Sequence, residues 1–203
     1  MIAGTVAAVF TVGYLGTTLW LCRGYRYTAR SLCLGAIVIA ATCVLSCIYL
    51  PLPTGASITA GSWLPLMLLA LTYDYRLAML SGMVCGALAP LILPGWSLVH
   101  WAQFFLEYLT IFSCMGYAGL FGRSSRSRLV LGVAVAVLLR IAAQTISGAV
   151  FFGAYAWEGW GAWGYSLVYH LTAKIPEGIL SALILLKMPL DRISDLVKKG
   201  DVA

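Results

Sequence analysis

Four ionisable side chains stand inside long apolar stretches of this chain: Glu107, Arg140, Lys174 and Glu177. A charge at the centre of a membrane-spanning helix costs roughly 2.5–3.5 kcal/mol on insertion scales, so such residues persist where they are paired or functional. Glu107, in Gln103-Phe104-Phe105-Leu106-Glu107-Tyr108, suits a counter-charge for a cationic ligand or an acceptor for a ligand amino group. A structural ion pair with Arg140 or Lys174 suits it equally well. Lys174 and Glu177 lie three apart on one helix face, which favours a self-neutralising pair. Pro176 between them is expected to kink or loosen that helix. Arg140, about three turns into its segment from the basic end, is expected to snorkel to the interface.

A second group of residues offers binding rather than bond-making chemistry. The run Tyr155-Ala156-Trp157-Glu158-Gly159-Trp160-Gly161-Ala162-Trp163-Gly164-Tyr165 interleaves glycines with aromatic rings. Trp96 and Trp101 have the same setting. Aromatic belts at the lipid–water interface account for part of this enrichment. They do not account for the glycines, which let backbone pass close to a partner, and rings with flat faces suit a planar heterocycle. His170 follows Tyr165 and Tyr169, which share a helix face, and lies roughly 100° round from Tyr169. His100 stands beside Trp101 at the rim. Lone histidines in such places are packed and hydrogen-bonded more often than metal-bound. The chain carries no phosphate-binding G-x-x-x-x-G-K-[ST] loop, no H-E-x-x-H and no Ser-His-Asp spacing. Neither an enzyme nor an ATP-hydrolysing pump is expected.

The elements that position these groups follow from hydropathy. The chain is 62% hydrophobic and 10% charged, against about 25% charged in soluble domains. A spanning helix needs roughly 20 apolar residues. Seven candidate spans lie near 2–21, 31–50, 57–73, 77–93, 99–121, 129–151 and 162–187. The third, interrupted by Gly61 and Pro65, is expected to be short or tilted. The first lacks a basic region before it and is expected to be a retained helix rather than a cleaved leader. Arg23, Arg26 and Arg30, then Asp74 and Arg76, then Arg123, Arg126 and Arg128, then Lys187, Arg192, Lys198 and Lys199 fall in alternate connections. The intervening loops near 51–56, 94–98 and 152–161 hold no Lys or Arg. This asymmetry predicts an external N-terminus and a cytoplasmic C-terminus. It also argues against a nucleic-acid partner, because the net charge of +6 is divided among short loops instead of forming one patch. The six cysteines are expected to be small buried apolar groups, and the tail from Asp191 a short, solvated, amphipathic end.

The stretch Gln103–Tyr108 resembles the core motif of thiamine-specific S components of energy-coupling factor (ECF) transporters. So do Tyr155–Gly161, Tyr165-Ser166-Leu167, Ile175-Pro176-Glu177 and the turn Gly119-Leu120-Phe121, in matching order and spacing. The resemblance covers roughly residues 31–190. It implies an all-α integral membrane fold with a six-helix S-component core, here preceded by one extra N-terminal transmembrane helix. The implied division is an added helix and basic loop over 1–28, a vitamin-binding core over 29–190 and a cytoplasmic tail over 191–203.

The resemblance also implies a mechanism and a site. An S component binds a vitamin near the outer face of the bacterial plasma membrane, then docks on a transmembrane scaffold protein that carries two ATPase subunits. Thiamine is the transported ligand, with no cofactor. Scaffold docking uses an AxxxA pattern, matched by Ala36 and Ala40. Glu107 matches the acidic residue facing thiamine, with Tyr108 beside it. Trp157 and Tyr165 match aromatics of the site, and Gly148 matches a glycine that admits the ligand. Gln144 stands where these proteins have His, Phe152 where they have a stacking Trp and His170 where they have Asn. Lys174 is a further departure. These differences leave open a related pyrimidine or pyridine vitamin such as hydroxymethylpyrimidine. A membrane subunit without a transport role is the remaining alternative.

Overall fold

The computed structural model describes residues 2–93 and 98–199. Trp96, one of the loop aromatics singled out above, lies outside the described residues. Helices α1 (Ile2–Cys22) and α2 (Ala29–Ser46) are followed by a hairpin of strands β1 (Tyr49–Pro51) and β2 (Ser57–Thr59). Then come α3 (Leu64–Thr72) and α4 (Tyr75–Ile92). The next segment is composite: α5 (Trp101–Gln103), a π turn (Phe104–Tyr108), α6 (Leu109–Ser113) and a 3-10 turn (Cys114–Gly119). Two long helices, α7 (Arg126–Phe151) and α8 (Ala162–Lys187), and a short α9 (Leu190–Lys198) follow. Among the described residues, α1, α2, α4 and α7 are long and apolar enough to cross a membrane.

Local chemistry sets the boundaries. Thr28 and Ser31 form a reciprocal capping box at the start of α2. The Asp74 carboxylate accepts from the Arg76 N–H at 2.7 Å to start α4, and Ser125 caps α7 through the Arg128 N–H. His100 caps α5, its Nδ1 accepting from the Ala102 N–H at 3.1 Å, while its ring stacks on Phe151. The expected third span near 57–73 shortens to α3, because residues 57–59 pair instead with 49–51 in antiparallel register. Gly55, at φ 86°, makes the left-handed turn that closes this hairpin.

Packing depends on backbone approaching backbone. A Cβ at Gly86 would fall on the Tyr108 carbonyl oxygen, and one at Gly82 within 2.5 Å of the Phe112 carbonyl oxygen. Glycine one turn apart at both sites thus brings α4 directly against the composite segment. The added helix α1 lies along that segment too. Tyr14 Oη and Ser113 Oγ are 2.7 Å apart, and Thr18 Oγ1 and Tyr117 Oη are 2.9 Å apart. The remaining face of α1, including Val9, Val12 and Trp20, is exposed. Ala36 and Ala40 on α2 are also exposed, so α1 does not cover the small-residue pair.

The loops sort to two ends. At the basic end, Arg30 bonds the Val197 carbonyl, Ser194 Oγ donates to the Thr72 carbonyl at 2.7 Å, and Arg123 pairs with Asp191 at 3.2 Å. The expected solvated tail is therefore a docked helix: Leu190 and Ser194 of α9 are buried because they face these loops. At the aromatic end, the hairpin is fastened to α8. Tyr169 Oη donates to the Gly55 carbonyl at 2.9 Å, and Lys174 Nζ to the Ser57 carbonyl at 3.2 Å. Thr59 donates to Glu177 through both its N–H and its hydroxyl.

Two sequence expectations change. Cys22, Cys43, Cys85 and Cys114 are buried, but Cys33 and Cys47 are exposed, since they fall on the outward face of α2 and just beyond its end. Arg140 does not snorkel: it is 3% exposed, and its Nη1 donates to the Ile111 carbonyl at 2.7 Å.

Two outcomes follow for thermal unfolding of purified protein in detergent. Gly86→Ala should lose about 1–3 kcal/mol by overpacking, whereas Gly16→Ala, whose Cβ meets nothing, should unfold like the parent. Lys174→Met should cost about 3–5 kcal/mol, because it strands the buried Glu177 charge. Adding Glu177→Gln to Lys174→Met should recover most of that loss.

Candidate functional site

A cavity of about 680 Å³ opens between the hairpin, the composite segment, α7 and α8. This volume lies within the roughly 300–1,000 Å³ typical of small-molecule sites. Its lining includes Glu107, Tyr108, Gln144, Gly148, Phe152, Tyr165 and His170. Seven of the eight ligand-contact candidates named from the sequence thus meet around one space. Trp157 is not in the lining: it stands one layer behind, packed edge-on against Tyr165 with ring centroids 4.9 Å apart. It braces the Tyr165 ring and does not enclose the cavity itself.

The π turn sets the position of Glu107. Leu109 N–H bonds back to the Phe104 carbonyl, five residues earlier, which widens the helix at Glu107. One carboxylate oxygen, Oε2, accepts from Gln103 Nε2 at 3.0 Å and from Ser147 Oγ at 2.6 Å. Gln103 is itself oriented by the Val99 N–H, which donates to its Oε1 at 3.0 Å. The other oxygen, Oε1, has no protein partner among the described residues. Neither Arg140 nor Lys174 forms an ion pair with Glu107, so the structural-pair reading of this residue does not hold. A half-buried carboxylate, held in place through one oxygen and free at the other, is an acceptor built for a donor or cation from outside the chain.

The pair expected on α8 does form. Lys174 Nζ lies 3.6 Å from Glu177 Oε2, with both side chains nearly fully buried. Lys174 nonetheless reaches the cavity wall, as does Arg140. The Arg140 guanidinium lies between two rings, 4.7 Å from the Trp63 centroid and 5.5 Å from that of Phe112. Its Nε and the Gln144 Oε1 are buried without a hydrogen-bond partner. These two polar atoms lie just behind the α7 side of the cavity wall.

Aromatic groups form the opposite surface. Tyr165 and Tyr169 are 5.7 Å apart, and Tyr169 meets His170 edge-on at 5.1 Å. Phe152 and Tyr155 are tilted at 6.3 Å. Gly148 lines the cavity and has a packing role besides. A Cβ there would collide with the Ser166 hydroxyl, so the glycine first permits α7 and α8 to approach, a contact reinforced by Ser166 Oγ donating to the Thr145 carbonyl at 2.8 Å. Sequence reasoning did not place Ser147, Arg140 or the hairpin residues Ser57 and Thr59 at the site. Gln103, four residues before Glu107, was legible as a helical neighbour. Pro51, Pro53 and Gly55 carried the turn signal of the hairpin.

Comparison with known proteins gives the family. Residues 32–196 match the thiamine transporter protein (Thia_YuaJ) family. The thiamine transporter ThiT of Bacillus subtilis (strain 168) is 32% identical over 165 residues, which cover 74% of this chain and 85% of that protein. A solved structure of ThiT from Listeria monocytogenes superposes with a TM-score of 0.68 at 25% identity, covering 84% of this chain and 94% of that one. These relatives are transporters and not enzymes. Helix α1 and the loop after it precede the matched region. The chain thus belongs to the thiamine transporter protein family and is a multi-pass membrane protein.

Proposed function

We propose that this chain is the substrate-binding S component of an ECF-type importer and that thiamine occupies the cavity beside Glu107. The observation that carries the reading is the free Oε1 of a carboxylate whose other oxygen is fixed by Gln103 and Ser147. Glu107 offsets the thiazolium charge or accepts from the pyrimidine amino group. Tyr108, Phe152 and Tyr165 enclose the rings, with Trp157 as the support of Tyr165. A cation over an aromatic face contributes about 2 kcal/mol or more once desolvated. Gln144 and His170 hydrogen-bond the ring nitrogens or the hydroxyl, and Gly148 keeps the α7–α8 wall thin.

The aromatic end faces outward and the basic end faces the cytoplasm in this reading, which the Lys/Arg asymmetry supports. The N-terminus is then outside and the C-terminus inside. Residues 29–190 form the vitamin-binding core, 1–28 an added helix and loop, and 191–203 the cytoplasmic tail. The exposed Ala36 and Ala40 offer close helix approach to a transmembrane scaffold that carries two ATPase subunits. Energy for uptake comes from that module.

One observation favours a second solute. Arg140 and Lys174 both reach the cavity, and Glu107 is the one carboxylate among its described lining residues, with Glu177 behind the wall offsetting Lys174. A neutral aminopyrimidine such as hydroxymethylpyrimidine adds no further positive charge to that wall.

Glu107→Ala should weaken thiamine binding to purified protein at least about tenfold, read by titration of intrinsic tryptophan fluorescence. Unchanged affinity would remove Glu107 from the site. In a competition panel, thiamine should displace bound ligand at lower concentration than hydroxymethylpyrimidine; the reverse order would favour the second solute.

A further inference from the structure

A second cavity, of about 400 Å³, lies at the basic end, between the first turn of α7, the last turn of α8 and the start of α9. It shares no residue with the site around Glu107. The open apolar surface of its floor comes from Leu186 and Met188, each partly buried, and the exposed Pro189, above the buried Leu129 and Leu185. Its rim carries three guanidinium groups, from Arg123, Arg126 and Arg192. Arg123 is already engaged, donating to the Leu190 carbonyl at 2.7 Å and pairing with Asp191 at 3.2 Å. Arg126 and Arg192 have no carboxylate partner among the described residues and are exposed. The rim therefore carries two uncompensated positive charges above an apolar hollow.

The depth of this cavity is fixed by its neighbours. Helices α7 and α8, of 26 residues each, meet there at their charged ends. Helix α9 runs across the same end, with Leu190 buried below and Leu196 exposed. Such an amphipathic helix marks the boundary between acyl chains and headgroups. The α7 N-terminus, capped by Ser125, adds a partial positive charge to the same rim.

We propose that this cavity is a binding site for an anionic phospholipid, with the phosphate between Arg126 and Arg192 and the upper acyl chain on Leu186, Met188 and Pro189. Basic hollows between transmembrane helices at this level take anionic headgroups. A free phosphate would satisfy the guanidiniums but leave the apolar floor uncovered. A zwitterionic lipid would cover the floor but bring its own cation to a positive rim. Only a lipid with net negative charge satisfies both parts. The proposal is independent of which solute enters the other cavity.

The test uses full-length protein in detergent with equal phosphatidylglycerol and phosphatidylcholine of matched chains, read by native mass spectrometry. The parent protein should retain phosphatidylglycerol over phosphatidylcholine by at least about fivefold. Arg126→Gln with Arg192→Gln should abolish that preference. Arg23→Gln with Arg26→Gln, which removes two exposed charges at the same end outside the cavity, should keep it. Equal retention of both lipids by the parent would overturn the proposal, as would a preserved preference in the Arg126/Arg192 variant. Glycerol 3-phosphate displacing the lipid at comparable concentration would show a site for free phosphate and would also overturn it. Thermal unfolding of both double variants separates loss of the site from loss of the fold.

Discussion

The backbone of residues 101–119 is the constraint on which the rest of this structure depends. Within one membrane segment it passes through α, π, α and 3-10 geometry. Each change of pitch releases carbonyls that lipid cannot hydrogen-bond, at several kcal/mol apiece. Irregular backbone at that depth survives only where protein surrounds it. Here Thr110 Oγ1 takes the Phe105 carbonyl at 3.3 Å, and Arg140 takes the Ile111 carbonyl. The irregularity gains a widened turn that aims Glu107 at the cavity, and it commits α4, α7 and α1 to packing around it.

That commitment explains features that look unrelated in sequence. Gly82 and Gly86 are there because α4 lies on the carbonyls of the segment. Arg140 is buried because a guanidinium can bridge the gap between α7 and Ile111 while its faces rest on Trp63 and Phe112. Helix α1, although outside the family-matched region, meets the same segment through Tyr14 and Thr18, so it extends the shell around the irregular backbone. The α8 charges serve the facing wall. Lys174 and Glu177 neutralise each other and fasten the hairpin, which completes the cavity on that side.

The cavity therefore has two kinds of boundary. The α7 and composite walls carry polar side chains, with Glu107 fixed at one oxygen. The hairpin and the Tyr165–Tyr169–His170 surface are joined through side-chain contacts to backbone carbonyls, Tyr169 to Gly55 and Lys174 to Ser57. The basic end is constructed separately, from Arg123, α9 and the ends of α7 and α8, and no residue links its hollow to the first one.

Composition and hydropathy alone determined a helical, multi-pass membrane chain, the order of its segments and the sorting of charged and aromatic loops, because insertion cost is a sum over local residues. The Glu107 motif and the aromatic–glycine run were legible for the same reason: they are contiguous. Tertiary structure alone decided what could not be local. It made Arg140 a buried carbonyl donor instead of a snorkelling side chain, since Ile111 is 29 positions away. It turned residues 57–59 into a strand, since their partners are 49–51 and their acceptor Glu177 lies 118 positions further on. It moved Trp157 behind Tyr165 and made Gly148 a contact point of α7 and α8 as well as a lining residue. Residue type fixes which groups need partners in a low-dielectric interior; only the packing of distant helices decides which partners they meet.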